Sequence, residues 1–192
     1  MNSEAKNHKQ QRCTAISETI LREFPPNPNL VNYHTRRQMT TMMSERYTPD
    51  SDWYPSGWTR KLGAIAGITN IHLMRHKLRL KRNPEMSWDK IIPSVEAVLI
   101  GAWEGIEIKE APEVVNDRRE FELPDGLYFE KRRVFEGVDH SKKYTPAEKL
   151  YEIPGITTLV FYKDQVTVKR GYCYPWEEIE PEVIEVLQNL TV

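Results

Sequence analysis

The chain is short of cysteine, has no long apolar run and carries no excess of either charge. Cys13 and Cys173 are its two cysteines in 192 residues. That excludes a disulfide framework, a four-cysteine zinc site and a self-contained set of iron–sulfur ligands, and it fits a reducing compartment. No stretch approaches the ~18 consecutive apolar residues of a membrane span. Lys and Arg number 27 against 28 Asp and Glu, a net charge of −1, so the total draws the chain neither to nucleic acid nor to anionic lipid. The amino terminus, MNSEAKNHKQQRC, lacks the apolar core of a secretory signal. A cytoplasmic protein with a disordered tail over 1–11 is the expectation. Catalytic patterns are absent as well: no Gly-rich phosphate loop, no His-x-x-x-His helix, no nucleophile–base constellation. No enzymatic activity, cofactor or metal site is therefore expected.

What the sequence does contain is itself, twice. Displacing the chain by 88 positions lays KLGAIAGIT (61–69) on KLYEIPGIT (149–157), and over residues 61–99 there are 14 identities in 39 positions. The pairs Trp88/Trp176, Ile91/Ile179, Pro93/Pro181, Val95/Val183 and Leu99/Leu187 continue it without a gap. Upstream, an offset of 96 places LVNYHTRRQM (30–39) on LYFEKRRVF (127–135), pairing Tyr33 with Phe129. The difference then falls in TPDSDWYPSG (48–57), a loop that the second copy would lack. Charge divides unevenly: residues 1–104 carry 15 basic and 10 acidic side chains, residues 105–192 carry 12 and 18. Docking of a basic copy on an acidic one is a reasonable consequence.

Each copy reads as the same succession of elements. Ile71, Leu73, Leu78 and Leu80 alternate about a turn at Arg75-His76, as Leu159, Phe161, Val166 and Val168 do about Lys163-Asp164. Trp88, Ile91, Val95 and Leu99 are spaced as a helical stripe, and so are Trp176, Ile179, Val183 and Leu187. Pro93 and Pro181 are expected at the first position of those helices. Gly67 and Gly155 suit the left-handed turn that ends the preceding short helix. REFEL and LYFEKRR around Pro124-Asp125-Gly126 read as a hairpin. The fold class is thus α+β: two tandem two-layer ββαββα domains, each a mainly antiparallel four-stranded sheet with two helices on one face. The boundaries are 12–104, a linker over 105–117, and 118–192.

These residues resemble a known family. Pro26-Asn27-Pro28-Asn29 between strand patterns, then Lys61, Leu62, Ile65, Gly67 and Ile68, then a hairpin, then Trp88, Ile91 and Pro93, are similar to the amino-terminal domain of Nfu/NifU-type scaffold proteins. The second copy repeats Lys149, Leu150, Ile153, Gly155, Ile156, Trp176, Ile179 and Pro181, without the PNPN. The resemblance implies a non-catalytic adaptor or scaffold associated with iron–sulfur cluster assembly or delivery, with a protein partner from that machinery. Family members that carry clusters do so through a Cys-x-x-Cys in a separate carboxy-terminal domain, a motif this chain lacks. Direct cluster ligation is not implied.

Two candidate surfaces follow from strand alternation. With Leu78 and Leu80 inward, Lys77 and Arg79 with Lys81 point outward, flanked by Arg75 and Arg82. They form either an electropositive platform for an acidic partner or an ordinary solvated strand face. The alternative function, nucleic-acid binding, would use the same basic hairpin. Val160 and Tyr162 lie outward on the neighbouring strand of copy two and offer an apolar patch to a partner or to the other copy. Trp53, Tyr54 and Trp58 either recognise a partner or tuck back over a helix. Cys13 and Cys173 read as free thiols.

Overall fold

The computed structural model describes residues 18–40, 42, 44–113, 116–137, 141–142 and 144–190. Cys13 and the tail over 1–11 lie outside them. The elements are β1 (Glu18–Glu23), β2 (Leu30–His34), β3 (Ser44–Tyr47), α1 (Gly57–Gly63), β4 (Ile68–Met74), β5 (Lys77–Arg82), α2 (Trp88–Ala102), β6 (Ile106–Glu110), β7 (Arg118–Glu122), β8 (Phe129–Phe135), α3 (Thr145–Glu152), β9 (Ile156–Lys163), β10 (Gln165–Arg170) and α4 (Trp176–Gln188).

Capping fixes the helix starts. Ser56 and Thr59 form a reciprocal capping box at α1, Ser87 caps α2, and Pro146 occupies the first turn of α3. Each long helix begins at its tryptophan, and its proline lies inside. This corrects the expected proline-first start. The carbonyls that the two prolines leave unpaired belong to Asp89 and Glu177, on exposed positions where water can take them. Gly67 and Gly155 have φ of 93° and 92°, as the helix-ending turns require.

Two sheets result, β3-β4-β5-β2-β1-β6 and β7-β10-β9-β8. All pairings are antiparallel except β1–β6. Two cores sit beneath them. Trp88, Ile91, Val95 and Leu99 of α2 pack with Leu73, Leu78 and Leu80. Trp176, Ile179, Val183 and Leu187 of α4 pack with Leu159, Phe161, Val166 and Val168. The chain is two tandem two-layer α+β units, as the alternation and the stripes predict. The first sheet, however, has six strands rather than four.

The hydrogen bonds recur every 88 residues. Trp88 Nε1 donates to Pro28 O at 2.9 Å, and Trp176 Nε1 to Asn116 O at 2.8 Å. Arg82 donates to the carbonyls of Pro84 and Met86, Arg170 to those of Tyr172 and Tyr174. Leu30 faces Lys81 as Arg118 faces Lys169, and Tyr47 faces Ile71 as Phe135 faces Leu159. β2 therefore corresponds to β7 and β3 to β8. The offset of 96 is wrong, and 48–57 has a counterpart of equal length. The expected REFEL–PDG–LYFEKRR hairpin is also corrected. Gly126 does turn the chain, with φ of 89°, but β7 and β8 occupy opposite edges of their sheet. Turn chemistry sets the local bend and leaves strand partners to the core.

In this frame β6, inside the segment expected to be a linker, is the counterpart of β1. The two lie side by side in parallel, with Glu18 opposite Ile106 and Arg22 opposite Glu110. Within the first unit β1 pairs with β2, whereas the second sheet ends at β7.

Candidate protein-binding surfaces

The basic hairpin β4–β5 distributes its cations rather than pooling them. Arg75, in the turn, donates from Nη1 to Tyr151 O at 3.1 Å and Ile156 O at 3.2 Å, so it clasps the second unit. Arg82 turns to its own chain: Nε donates to Pro28 O at 3.2 Å, Nη1 to Pro84 O at 3.0 Å, and its guanidinium lies over Trp88. Lys77, Arg79 and Lys81 share the outward face, as alternation requires. Of these, Arg79 Nε donates to Asn32 Oδ1 at 2.9 Å, and Lys81 is exposed. Burial first, then Arg79 and Lys169, push the Lys77 ammonium down to about 8. The structure thus brings three of the five basic residues together on one face and commits the other two to holding the fold.

Val160 and Tyr162 face outward from β9. Val160 is half-buried and Tyr162 is 47% exposed. Register places Val134 beside Val160 on one side and Thr167 on the other, with Glu120 beyond Thr167. Gln165 neighbours Tyr162, and the Lys163 ammonium lies 5.3 Å from the Tyr162 ring centroid. The result is a shallow concave sheet face of mixed polarity, with exposed Val134 and Tyr162 at its apolar side.

Between the units lies a cluster that no sequence motif announced. Glu23 Oε2 accepts from Asn32 Nδ2 at 2.6 Å and lies 2.7 Å from His34 Nε2. Tyr172, from the second unit, stacks on His34 with ring centroids 3.9 Å apart and planes inclined by 4°. The hydrogen bond to His34 holds the Glu23 carboxyl down to about 2 against the opposing effect of burial. Burial lowers His34, so its neutral imidazole meets a carboxylate. Around this cluster Arg36 donates to Cys173 O at 2.9 Å and to Glu178 at 2.8 Å, and Tyr174 OH donates to Arg36 O at 2.6 Å. The residues 171–175 seat the second unit on the outer face of β1 and β2. The charge contrast between halves was the available signal, and Arg36–Glu178 is one of its outcomes.

Burial pushes the Cys173 thiol up to about 11, which keeps it protonated. Burial, then Arg46 and Arg79, lower His72 to about 4. Among the described residues no group of three His, Cys, Asp or Glu side chains is placed to hold a metal. Tyr54 donates to Thr48 O and stacks on Tyr47, and Trp58 packs against Trp103. Trp53 stays 64% exposed. No helix among the described residues is long and apolar enough to cross a membrane.

Residues 117–191 match the family model described as scaffold protein Nfu/NifU N terminal. No curated protein matches the chain. Solved structures similar to it include the crystal structure of protein SAV1430 from Staphylococcus aureus, 22% identical, covering 42% of this chain and 98% of that one with a TM-score of 0.39. The solution structure of the same protein is 21% identical, covers 40% and 84%, and gives 0.35. The solution structure of SeR13 from Staphylococcus epidermidis is 16% identical, covers 43% and 94%, and gives 0.32.

Proposed function

We infer that this chain is a non-catalytic, cytoplasmic scaffold made of two copies of an Nfu amino-terminal-like module. It binds protein partners in iron–sulfur cluster assembly or delivery without ligating the cluster. The observation that carries this reading is the match of residues 117–191 to the Nfu/NifU amino-terminal model. The hydrogen bonds repeated at 88 residues support reading residues 29–103 as a second copy of the module. The partner meets the outer face of the second sheet at Val160 and Tyr162, and the Lys81 end of the basic face in the first. A half-buried Cys173 held protonated is a poor cluster ligand, in keeping with a role that holds other proteins together.

The test is affinity capture from the native cell, followed by binary binding with each purified candidate. Proteins that assemble or accept iron–sulfur clusters should be retrieved, and Tyr162→Ser should lose them. A retrieved set without such proteins, or one released by nuclease, would overturn the reading. Visible absorption after anaerobic iron reconstitution should show no cluster chromophore; a bound cluster would refute the non-ligating part.

A further inference from the structure

Among the described residues the second sheet has no counterpart of the β1 strand that the first possesses. In the first unit β1 lies along β2 with Leu21 opposite His34, Arg22 opposite Tyr33 and Glu23 opposite Asn32. Its Ile20 is fully buried in the core, and its Arg22 reaches down to Glu96 of α2 at 2.6 Å. The residue that the 88-residue frame assigns to Ile20's place in the second unit is Ile108. That side chain packs instead against the first core, because β6 pairs with β1. The outer edge of β7 consequently has no strand partner among the described residues. Beneath it Ile184, which stands in α4 where Glu96 stands in α2, is 41% exposed, and Phe121 is half-buried. Glu120 and Glu122 are exposed on the edge strand itself.

We propose that the outer edge of β7 accepts an extended segment of a partner protein, antiparallel, in the register that β1 takes on β2. The inference rests on the scaffold reading above and specifies its partner's chemistry. Main-chain hydrogen bonds to an unpaired edge supply affinity, and alternate side chains supply selectivity. Inward side chains of the guest meet Leu123, Phe121 and Ile184, so they are apolar. Outward side chains lie opposite Glu120 and Glu122, so they are Lys or Arg, a favourable cross-strand pairing. β1 shows that the two-layer unit accommodates a strand at this place, and Glu120 and Glu122, beyond Arg118 on the same face, select the charge of the side chains opposite them. Left open, such an edge is also the part of a sheet most prone to unwanted pairing, and its two glutamates restrict what can join.

The probe is the capped hexapeptide Thr-Ile-Lys-Ile-Lys-Thr, titrated into the isotope-labelled full chain, with both Lys replaced by Glu in a control peptide. Amide shifts should be confined to Arg118–Glu122 and to α4 around Ile184, and hydrogen exchange along β7 should slow by about tenfold. The control peptide should be silent. The double variant Glu120→Lys/Glu122→Lys, altered only at exposed positions, should exchange these preferences. Shifts centred on another strand, equal response to both peptides, or no response to either would overturn the proposal. If the peptide fails while capture still retrieves the partner through Tyr162, the edge inference alone falls. If the peptide binds β7 while capture returns no cluster-handling protein, the scaffold reading alone falls.

Discussion

Arg82 separates a structural cation from a binding one, and Arg82→Lys is the perturbation that tests the distinction. Its guanidinium donates to the carbonyls of Pro28, Pro84 and Met86 and covers Trp88, closing the segment before β2 and the segment before α2 onto one another. A lysine ammonium is a point donor and cannot fork across these acceptors. Losing two such bonds while one contact is kept costs about 2 kcal/mol, the loop carbonyls being partly recoverable by water. In a unit of roughly 75 residues that corresponds to a fall in Tm of about 10 °C. Arg170→Lys should lower the second unit similarly, since Arg170 repeats the bonds to Gly171, Tyr172 and Tyr174. Lys81→Ala, at an exposed position, is the control and should stay within about 0.5 kcal/mol of the parent. Thermal denaturation followed by hydrogen exchange would localise each loss to β5–α2 or β10–α4. Were Arg82→Lys to melt within about 2 °C of the parent while losing partner or nucleic-acid binding, the guanidinium would belong to the surface and the argument would be refuted.

Gly155→Ala should destabilise by about 2 kcal/mol or more, because φ is 92° and the new methyl would lie 2.6 Å from Tyr174 Cδ1; Gly57→Ala, with nothing within 4 Å, should be neutral or slightly stabilising in the same thermal melts. The depressed Glu23 carboxyl stabilises the fold above its unfolded value near pH 4.3 and loses that contribution as pH falls toward 2. His34, lowered by burial, acts in the same direction, so the urea midpoint should decline on acidification and Glu23→Gln should flatten the portion below about pH 4.5. Tyr172→Ala combined with Arg36→Ala removes the His34 stack and the exposed Arg36–Glu178 pair, together worth about 1–2 kcal/mol. Small-angle scattering should then show expansion with both units still folded, and an unchanged radius would refute the docking described.

The halves of the module were not equally legible. From Lys61 onward the stripe and the alternation are set by residues that must fill a core, and these are the identities the sequence retains. Between residues 28 and 60 the 88-residue frame carries no identical pair. Tyr33/Phe121, Met39/Leu127 and Tyr47/Phe135 keep their apolar character there, and the positions between them do not hold the frame. Arg36-Arg37 and Arg132-Arg133 therefore attracted the wrong alignment. Pro124-Asp125-Gly126 forecast its turn correctly and its hairpin wrongly, for a turn is local and a partner strand is not. Alternation placed Lys77, Arg79, Lys81, Val160 and Tyr162 outward as found. It could not foresee that Arg75 and Arg82 are absorbed by carbonyls, since backbone acceptors leave no trace in side-chain spacing.

The same frame explains why the units dock in one direction only. Residues 171–175 and 83–87 occupy equivalent places before the long helices, yet Tyr172 and Tyr174 stand in one where Pro84 and Met86 stand in the other. Glu178 stands where Lys90 does. Only the second loop carries rings to stack on His34 and to reach Arg36 O, and only its helix offers a carboxylate to Arg36. Equivalent backbones thus carry unlike surfaces, a heterologous contact closed by the covalent connection between the units. β6, drawn into the first sheet beside its own counterpart, strengthens that connection and leaves the outer edge of β7 without a strand partner among the described residues. The first unit keeps β1 beside β2, and the displacement of its counterpart β6 is what gives the second unit an edge to offer.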